Sequence, residues 1–405
     1  MLNNRQIYDV AILGSGGAGC AAAIEAINIS RNIVIITKSL LQDSRTALAQ
    51  GGIQAAMAEN DSPEKHFEDT LKAGGNKSNP ALVKLLTENA RDTIHWLEKI
   101  GVQFDKTDGQ FLLKQASGLS APRVLSVGDA AGRGIVKAML NEVCRLQIPF
   151  RENCGVRQIE KSGKLFEITL SEKNGNTDVL KARTVILATG GAMPLEKKTG
   201  FAGSCDAPDG LTLAQRLGAT VVNPDLMQYH PTGILFPVAM RRRPLPETMR
   251  GCGATILNKD QQEFVDPLLP RNDLTQAIIA ECKKGNGVET DGVKGVWVDT
   301  PRIDQLKGDG YTKKNFPTMY ATFLENGHNI TRQPVLVYPI LHYTLGGVEI
   351  DVNCQSNIPG FFAAGETTWG VHGTDRLMGN SLLDIFVFGR IAGKRASLLA
   401  QQYPS

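Results

Sequence analysis

A strand–turn–helix at the start of the chain limits what this sequence can fold into. Residues 10–13 (VAIL) predict a short buried strand, which breaks at the turn GSGGAG (residues 14–19) and continues as a helix of small residues. In the pattern G-x-G-x-x-G the glycines provide a tight turn, a close approach of backbone to a pyrophosphate, and packing of helix on strand. The N–H groups at the start of the helix favour phosphate. We therefore predict a dinucleotide site here rather than a purely structural turn. The predicted contacts are Gly14, Ser15, Gly16, Ala18 and Gly19.

The composition excludes some classes of function. With 405 residues, the chain is long enough for about two or three domains and a large core. Its 44 basic and 41 acidic residues leave a net charge of +3, which gives no indication of nucleic-acid binding. We interpret the one basic run, residues 241–243, as a solvated face.

The seven cysteines show no C-x-x-C or C-x-x-C-H spacing. This pattern argues against a c-type haem, an iron–sulfur cluster or a zinc ribbon on this chain, and we predict no metal site. An odd number of cysteines without close pairs suits a reducing compartment. The first apolar run is the predicted first strand rather than a leader, and no run approaches the ~20 apolar residues of a membrane span. We expect a cytoplasmic protein that would associate with a membrane only through a partner.

Two further segments follow the first helix. Residues 31–37 predict the second strand of a βαβ unit, which ends at Thr37-Lys38, where a dinucleotide-binding fold usually has an acidic residue. We expect this hydroxyl and ammonium to serve the ribose or the phosphate instead. Residues 44–53 (SRTALAQGGI) contain small residues and paired glycines, which let backbone approach a flat ring. An ordinary turn is the alternative for this segment taken alone.

GSGGAG, the TK after the second strand and AQGGI together resemble the flavoproteins of the succinate dehydrogenase, fumarate reductase and L-aspartate oxidase family. The resemblance implies FAD as cofactor and an α/β fold, with a Rossmann-like FAD-binding domain and an inserted α+β capping domain. The helical C-terminal domain of larger relatives is expected to be absent. By resemblance, the further cofactor contacts are Thr37, Lys38, Thr46, Ala47, Gln50, Gly51, Gly52, Val156, Thr189, Gly190, Asp209, Glu366, Ser381 and Leu382.

The middle of the chain is predicted from periodicity and resemblance. Residues 62–104 have helical spacing, with His66 and His95 expected as surface or capping residues. Residues 153–189 alternate polar and apolar side chains and predict a β-meander that leads into a buried strand. Its ATGG ending resembles the segment that passes beneath the cofactor, and residues 206–210 (DAPDG) resemble the family's GDG turn.

The character of the sequence changes near residue 223. From there to about residue 337 prolines are more frequent and the strand–glycine–helix rhythm is lost. We predict that residues 223–337 form the capping domain, inserted into an FAD-binding domain of residues 1–222 and 338–405. The last helix, from residue 380, is expected to direct its positive end at a flavin carbonyl near Ser381 and Leu382.

Two histidine motifs supply candidate ligands for a substrate with two carboxylates. YHPTG (residues 229–233) resembles the family's HPTG, and HYTLGGV (residues 342–348) resembles its HYTxGG. By resemblance, His230 binds one carboxylate and His342 binds the other. A histidine beside a proline is more often structural, which is the alternative for His230.

A Glu–Arg–Arg set supplies the candidate proton donor. Glu247 precedes Arg250 by three residues, and Arg271 follows twenty-one residues later, as in the family. The resemblance implies that Arg271 protonates the substrate carbon, while Glu247 and Arg250 form the relay to solvent. Arginine normally stays protonated, so it acts as an acid only where a carboxylate accepts and returns the proton. The alternative is an i,i+3 helix pair of little consequence.

The segment VHGTDRLMGNSLLD (residues 371–384) is close to the family's HGxxRLxGNSLLD. The resemblance implies that Arg376 is a clamp, because its planar fork matches a carboxylate. Glu366 is expected to hold the ribityl hydroxyls, and His372 to give structural support.

Three positions depart from the family. Arg45 stands where membrane-bound succinate dehydrogenases carry the histidine that bonds FAD, so FAD should be non-covalent. Pro246 replaces a threonine that binds a substrate carboxylate, and Thr248 lies in a different register, which leaves the dicarboxylate less defined than the reaction. The loop at 114–119 (KQASGL) lacks the glutamate that holds the ammonium of aspartate; that position aligns near Ala116.

The leading interpretation is an FAD-dependent oxidoreductase that interconverts fumarate and succinate, or a close dicarboxylate. L-aspartate oxidase is the second interpretation. The third is a flavoprotein subunit that exchanges electrons with an iron–sulfur subunit or another redox partner.

Overall fold

The structure is a computed structural model, which describes residues 7–191 and 210–403. The helices within these ranges are α1 Gly17–Ala26, α2 Pro63–Ala73, α3 Pro80–Glu88, α4 Ala90–Lys99, α5 Ala131–Arg145, α6 Gly210–Leu217, α7 Glu247–Gly251, α8 Arg271–Lys283, α9 Pro301–Lys307, α10 Tyr311–Asn315, α11 Pro317–Glu325 and α12 Asn380–Ala400. The strands are β1 Ile7–Leu13, β2 Ile33–Ile36, β3 Ile53–Gln54, β4 Lys106–Thr107, β5 Gln110–Phe111, β6 Val124–Leu125, β7 Phe150–Arg151, β8 Cys154–Ser162, β9 Leu165–Glu172, β10 Thr177–Leu187, β11 Val221–Val222, β12 Met227–Phe236, β13 Thr255–Leu257, β14 Val288–Thr290, β15 Val293–Asp299, β16 Val335–Thr344, β17 Gly347–Glu349, β18 Phe361–Ala363 and β19 Thr368–Trp369. None of the described helices is both long and apolar enough to span a bilayer.

The larger sheet places the glycine-rich turn at its centre. Its order is β7-β2-β1-β10-β9-β8, and β18 pairs with the second half of β10. The strands β7, β2, β1, β10 and β18 are parallel, and the apolar sequences of β2, β18, most of β1 and the end of β10 are buried because helices cover a parallel sheet on both faces, whereas the edge strand β7 is partly exposed. The β-meander prediction is confirmed, because β8, β9 and the first half of β10 form antiparallel pairs.

Helix α12 packs on α1 at a distance that only glycine permits. A Cβ atom added at Gly389 would lie 2.6 Å from the carbonyl oxygen of Ala18, and one at Gly393 would lie 2.1 Å from that of Ala22. The C-terminal helix therefore fixes the helix that follows the glycine-rich turn, and it brings its own first residues to the same side of the sheet.

The predicted helical segment 62–104 forms the three helices α2, α3 and α4. The expectation for His95 agrees with its exposed position beside Glu98. The expectation for His66 is wrong. Its ring is fully buried, with Nε2 2.8 Å from Oδ1 of Asn380, and burial lowers the pKa of His66 to about 4. The reason is a packing contact between α2 and the start of α12, which local periodicity does not reveal.

A second, antiparallel sheet has its own core. Its order is β12-β16-β15-β13, with β14 paired to β15. Its buried apolar residues, from Ile234 to Val337, form a cluster that is separate from the one around the larger sheet. The domain division at 222/223 and 337/338 stays a prediction, and these separate cores support it. Strand β16 starts in this core and ends at the candidate site described next.

Candidate active site

Strands β12 and β16 bring the two candidate histidines together. His230 lies opposite Ile340, and an irregularity between Gln228 and Tyr229 leaves His342 without a direct partner across the ladder. The two imidazole rings meet edge to face, with their centroids 5.1 Å apart. Loss of solvent, and then the positive charge of Arg271, lowers the pKa of both histidines well below the ordinary value. Both rings are therefore neutral at neutral pH, and each can donate one N–H.

Arg376 is a buried cation with an unpaired donor. Its side chain stacks on Tyr343, with Cζ 4.5 Å from the ring centroid, and Nη1 donates to the carbonyl of Leu377 at 3.0 Å. Burial, and then repulsion by Arg271, lowers the pKa of Arg376 to about 10, so it still carries its charge at neutral pH. Its buried Nε has no hydrogen-bond partner among the described residues. A buried donor without a partner is costly, which indicates a place for an anionic ligand.

Arg271 and Arg250 share the carboxylate of Glu247. Arg271 is the first residue of α8, and its Nε donates to Oε2 of Glu247 at 2.9 Å. Helix α7 places Arg250 three residues after Glu247, with Nη2 3.4 Å from the same oxygen, which is an ion-pair contact. All three side chains are at least nine-tenths buried. Burial alone would raise the pKa of Glu247, but Arg271 and Arg250 hold it below its ordinary value.

A cavity of about 500 Å³ leads from the surface to Glu247, Arg271 and Arg376. The other residues that line it are Asp69, Lys72, Ala73, Ser117, Gly118, Leu119, Ser120, Pro270, Asn272, Asp273, Thr374, Asp375, Leu377 and Met378. Asp69 is a carboxylate in this cavity that the sequence did not indicate. Its Oδ2 accepts from Arg123 at 2.7 Å and from both donors of Ser120 at 2.8 Å, so its charge is paired.

The glycine-rich turn has the shape that a dinucleotide requires. Gly14 has φ of +112°, and an added Cβ would lie 2.2 Å from the carbonyl oxygen of Ala188 at the end of β10. A Cβ at Gly19 would lie 1.9 Å from the oxygen of Gly14. At Gly16, in contrast, a Cβ would meet only Oγ1 of Thr46, at 3.8 Å. The N-cap residue Gly16 has no side chain to cap α1, and no acid lies in the first turn, so open space and the positive end of the helix coincide where FAD's pyrophosphate is expected.

Hydrogen bonds connect this turn to the other predicted FAD contacts. Oγ1 of Thr46 accepts from the amide of Gly17 at 3.1 Å, and Oγ of Ser15 donates to Oγ1 of Thr37 at 3.0 Å. The carbonyl of Thr37 accepts from the amide of Cys154 at 2.9 Å, which places β8, and with it Val156, at the end of β2. Lys38 is exposed beside them.

Glu366 is a largely buried carboxylate, its side chain 13% exposed, on the segment that follows β18. Its Oε1 accepts from the amide of Thr344 at 3.0 Å and lies 3.8 Å from Nη1 of Arg45. A Cβ at Gly191 would lie 2.4 Å from the same oxygen, so the segment after β10 runs against Glu366. Burial raises the pKa of Glu366. The remaining predicted contacts within the described residues are Ala47, Gln50, Gly51, Gly52, Thr189, Gly190, Ser381 and Leu382; Asp209 lies outside them.

Besides Asp69, the site contains two further polar residues that were not predicted, Gln228 and Asp375. Gln228 is buried, and its Oε1 accepts from Nη1 of Arg271 at 3.1 Å while its Nε2 donates to the carbonyl of Arg376 at 2.8 Å. Asp375 accepts from the same Nε2. Strand periodicity could have indicated Gln228, because it lies two residues before His230 and therefore on the same side of a regular strand.

Neutral histidines predict a pH-independent affinity for a dianion. Imidazoles with ordinary pKa values would lose positive charge as the pH rises through about 6.5, and the affinity would fall. Burial and the charge of Arg271 lower the pKa values of His230 and His342 well below the ordinary value, which moves that loss of charge to lower pH. We expect the dissociation constant of fumarate from the oxidised holoenzyme, measured by flavin absorbance, to change less than about twofold between pH 6 and 8. A tenfold weakening over this range would contradict neutral histidines.

Metal-binding side chains are not grouped in the described part of the chain. Within residues 7–191 and 210–403 no cluster of three or more His, Cys, Asp or Glu residues could hold an ion. None of the six cysteines in these ranges takes part in a disulfide bond.

Comparison with known proteins gives one consistent match over nearly the whole chain. A family model described as an FAD binding domain matches residues 9–382. A fumarate reductase (CoM/CoB) subunit of Methanothermobacter marburgensis is 35% identical, over 96% of this chain and 72% of that protein. L-aspartate oxidase of Acinetobacter baylyi is 33% identical, over 97% of this chain and 73% of that protein. The structure of E. coli quinol fumarate reductase matches with a TM-score of 0.90 and 28% identity, over 98% of this chain and 71% of that one.

Proposed function

The chain belongs to the family of FAD-dependent oxidoreductases that includes fumarate reductase flavoproteins and L-aspartate oxidase, and from this premise we propose that it interconverts fumarate and succinate, or a close dicarboxylate. The observation that carries the proposal is a set of buried donors in which two arginines and the carboxylate that contacts one of them line the cavity, while two neutral histidines feel the charge of both arginines without lining it. These residues are Arg271, Arg376, His230, His342 and Glu247.

The donors suit a molecule with two carboxylates. Arg376 offers a buried charge and an unpaired Nε, and arginine recognises a carboxylate through its planar fork. His230 and His342 add neutral N–H donors from adjacent strands. Together they would hold the two ends of a short dianion and twist one carboxylate out of conjugation with the alkene, which makes the alkene more electrophilic.

When the reaction runs towards succinate, bound FAD in its reduced form would supply the hydride for one alkene carbon and be oxidised in the process. Arg271 then donates a proton to the other carbon. Arg271 must then regain a proton, and Glu247, which contacts its Nε, is placed to take up a proton and pass it to Arg271. Arg250, with Nη2 3.4 Å from the same oxygen of Glu247, would extend this relay towards solvent.

Arg45 supports non-covalent FAD and favours the reductive direction. It occupies the position of the tethering histidine, and its guanidinium lies 3.8 Å from Glu366, which we assign to the ribityl hydroxyls. A covalent bond to the flavin helps to raise its potential, so its absence weakens succinate oxidation relative to fumarate reduction.

L-aspartate oxidase is the alternative function, and relatives of that name match at about the same identity as the fumarate reductase relative. Of the carboxylates that line the cavity, Asp69 is paired with Arg123 and Glu247 with Arg271, while Asp375 accepts from Gln228 and Asp273 is exposed. The loop at 114–119, which contributes to the lining, has no acid, so a substrate ammonium lacks the counter-charge that the family's glutamate supplies. We therefore expect fumarate-dependent oxidation of a reduced dye to exceed aspartate-dependent peroxide formation by at least about tenfold. Faster peroxide formation with aspartate would favour the alternative.

We infer that the electrons come from a second protein or a diffusible donor. The sequence has no haem or iron–sulfur motif, and the Methanothermobacter relative is named as one subunit of a reductase. An iron–sulfur subunit is the partner we expect, and its co-purification with the chain would support this. The odd number of cysteines without close pairs agrees with the cytoplasmic location that we propose.

A further inference from the structure

Asp375 lies directly before the carboxylate clamp Arg376 and connects two parts of the chain. It is half-buried on the segment between β19 and α12. Its Oδ1 accepts a hydrogen bond from Nε2 of Gln228 on β12, and its Oδ2 accepts from the amide of Asn272 in α8 at 3.3 Å. A single carboxylate of the predicted FAD-binding domain therefore contacts two elements of the predicted capping domain.

Both contacts converge on Arg271. Gln228, which donates to Asp375, uses its other atom, Oε1, to accept from Nη1 of Arg271 at 3.1 Å. Asn272 is the next residue after Arg271, so its amide fixes the backbone at the start of α8. Asp375 thus holds the side chain of Arg271 through Gln228 and the main chain of Arg271 through Asn272.

We propose that Asp375 is a positioning residue that orients the Arg271 guanidinium for proton donation, an inference that rests on the proposed function. Glu247 fixes Nε of this guanidinium, and Gln228 fixes Nη1. Two fixed nitrogens of a planar group determine the direction of the third, which leaves Nη2 to face the substrate. Without Asp375, the Gln228 amide is free to rotate and the second fixed point is lost.

Both carboxylate oxygens of Asp375 accept a hydrogen bond, so residue 375 must offer two acceptor atoms. Gln228 and Asn272 each present an N–H, and an ionised carboxylate has only acceptors. Asparagine can satisfy one of the two donors but turns its own NH2 towards the other. If Gln228 then flipped its amide, its NH2 would face Nη1 of Arg271. Asp375→Asn should therefore be intermediate between wild type and Asp375→Ala.

The test uses the FAD-loaded full chain and compares Asp375→Ala, Asp375→Asn and Asp309→Ala. Asp309 is an exposed carboxylate between α9 and α10, outside the cavity lining, so its variant removes the same charge away from the site. We expect Asp375→Ala to lower kcat for fumarate reduction up to ~100-fold with KM nearly unchanged, because a displacement of about 1 Å has such an effect. Asp375→Asn should recover part of kcat, and Asp309→Ala should leave kcat unchanged.

A second arm asks whether Asp375 acts through Arg271. In the Arg271→Ala background, Asp375→Ala should change the residual rate by less than about twofold, because residues that act as a unit are not additive. Equal losses in both backgrounds, an effect on KM alone, or an effect no larger than that of Asp309→Ala would overturn the inference.

A structural readout separates this inference from the proposed function. Amide hydrogen exchange at the start of α8, residues 271–275, should be faster in Asp375→Ala than in wild type, whatever substrate the enzyme uses. Unchanged exchange would overturn the inference even if the wild type reduces fumarate. A wild type that lacks fumarate turnover, with faster exchange in the variant, would contradict the proposed substrate and leave the anchoring of Arg271 supported.

Discussion

Arg271→Ala is expected to lower the turnover number for fumarate reduction about 10²- to 10⁴-fold, the range that positioned proton donors contribute. The variant removes the group that we place opposite the hydride source. FAD should remain bound, because Arg271 lines the cavity and does not belong to the glycine-rich turn or the other predicted FAD contacts. Glu247 keeps the charge of Arg250 beside it, so no isolated carboxylate is left buried. Steady-state kinetics and a fumarate titration of the oxidised flavin measure the two effects separately.

Two further variants control this experiment. Arg302→Ala removes an arginine from a surface ion pair with Glu263, 3.0 Å long, and should leave turnover unchanged. Arg271→Lys keeps a charge but lacks the planar fork whose Nε and Nη1 contact Glu247 and Gln228, so it should remain strongly impaired. Turnover near the wild-type level in Arg271→Ala would remove Arg271 as the proton donor.

Gly16→Ala is expected to give a folded chain that has lost much of its affinity for FAD. Gly16 has φ of −66°, which alanine adopts freely, and its Cβ would meet only Oγ1 of Thr46 at 3.8 Å. The methyl group instead enters the space that we assign to the pyrophosphate. Overpacking by one methyl group costs about 1–3 kcal/mol, which weakens binding ~5- to 150-fold. Thermal unfolding of the apoprotein measures the stability of the fold, and equilibrium dialysis of FAD measures the affinity for the cofactor.

Gly163→Ala is the matched control, which should lose stability and keep its affinity for FAD. Gly163 lies in the β8–β9 turn with φ of +62° and no atom within 4 Å of an added Cβ. Its variant should lose about 1 kcal/mol of stability through backbone strain and keep its FAD. Gly14→Ala should lose both stability and FAD affinity, because its Cβ would collide with the backbone of Ala188. Full FAD affinity in Gly16→Ala would contradict the location of the dinucleotide site.

The sequence predicts this architecture where local pattern and packing agree. The run of apolar residues before Gly14 is buried on both faces of the parallel sheet, and the small residues of α1 allow α12 to approach closely. The three-residue spacing of Glu247 and Arg250 is a helical spacing, and α7 gives it that form. In each case a few consecutive residues carry the information.

The features that the sequence did not predict depend on contacts between residues that are distant in sequence. The irregular pairing of β12 with β16 sets the contact between His230 and His342, and periodicity alone gives no such offset. The burial of His66 escapes prediction because its partner, Asn380, lies 314 residues away. Asp375 has no local signal, since its role follows from two donors supplied by a different sheet and helix.

The central claim is that this chain passes a hydride and a proton to the double bond of a two-acid substrate. The most direct test is a single turnover without oxygen, in which the holoenzyme is reduced with dithionite, freed of excess reductant and mixed with fumarate. We predict that the absorbance bands of oxidised flavin return promptly and that one succinate forms per flavin. A flavin that stays reduced in the presence of fumarate, and is reoxidised only when oxygen is admitted, would contradict the claim.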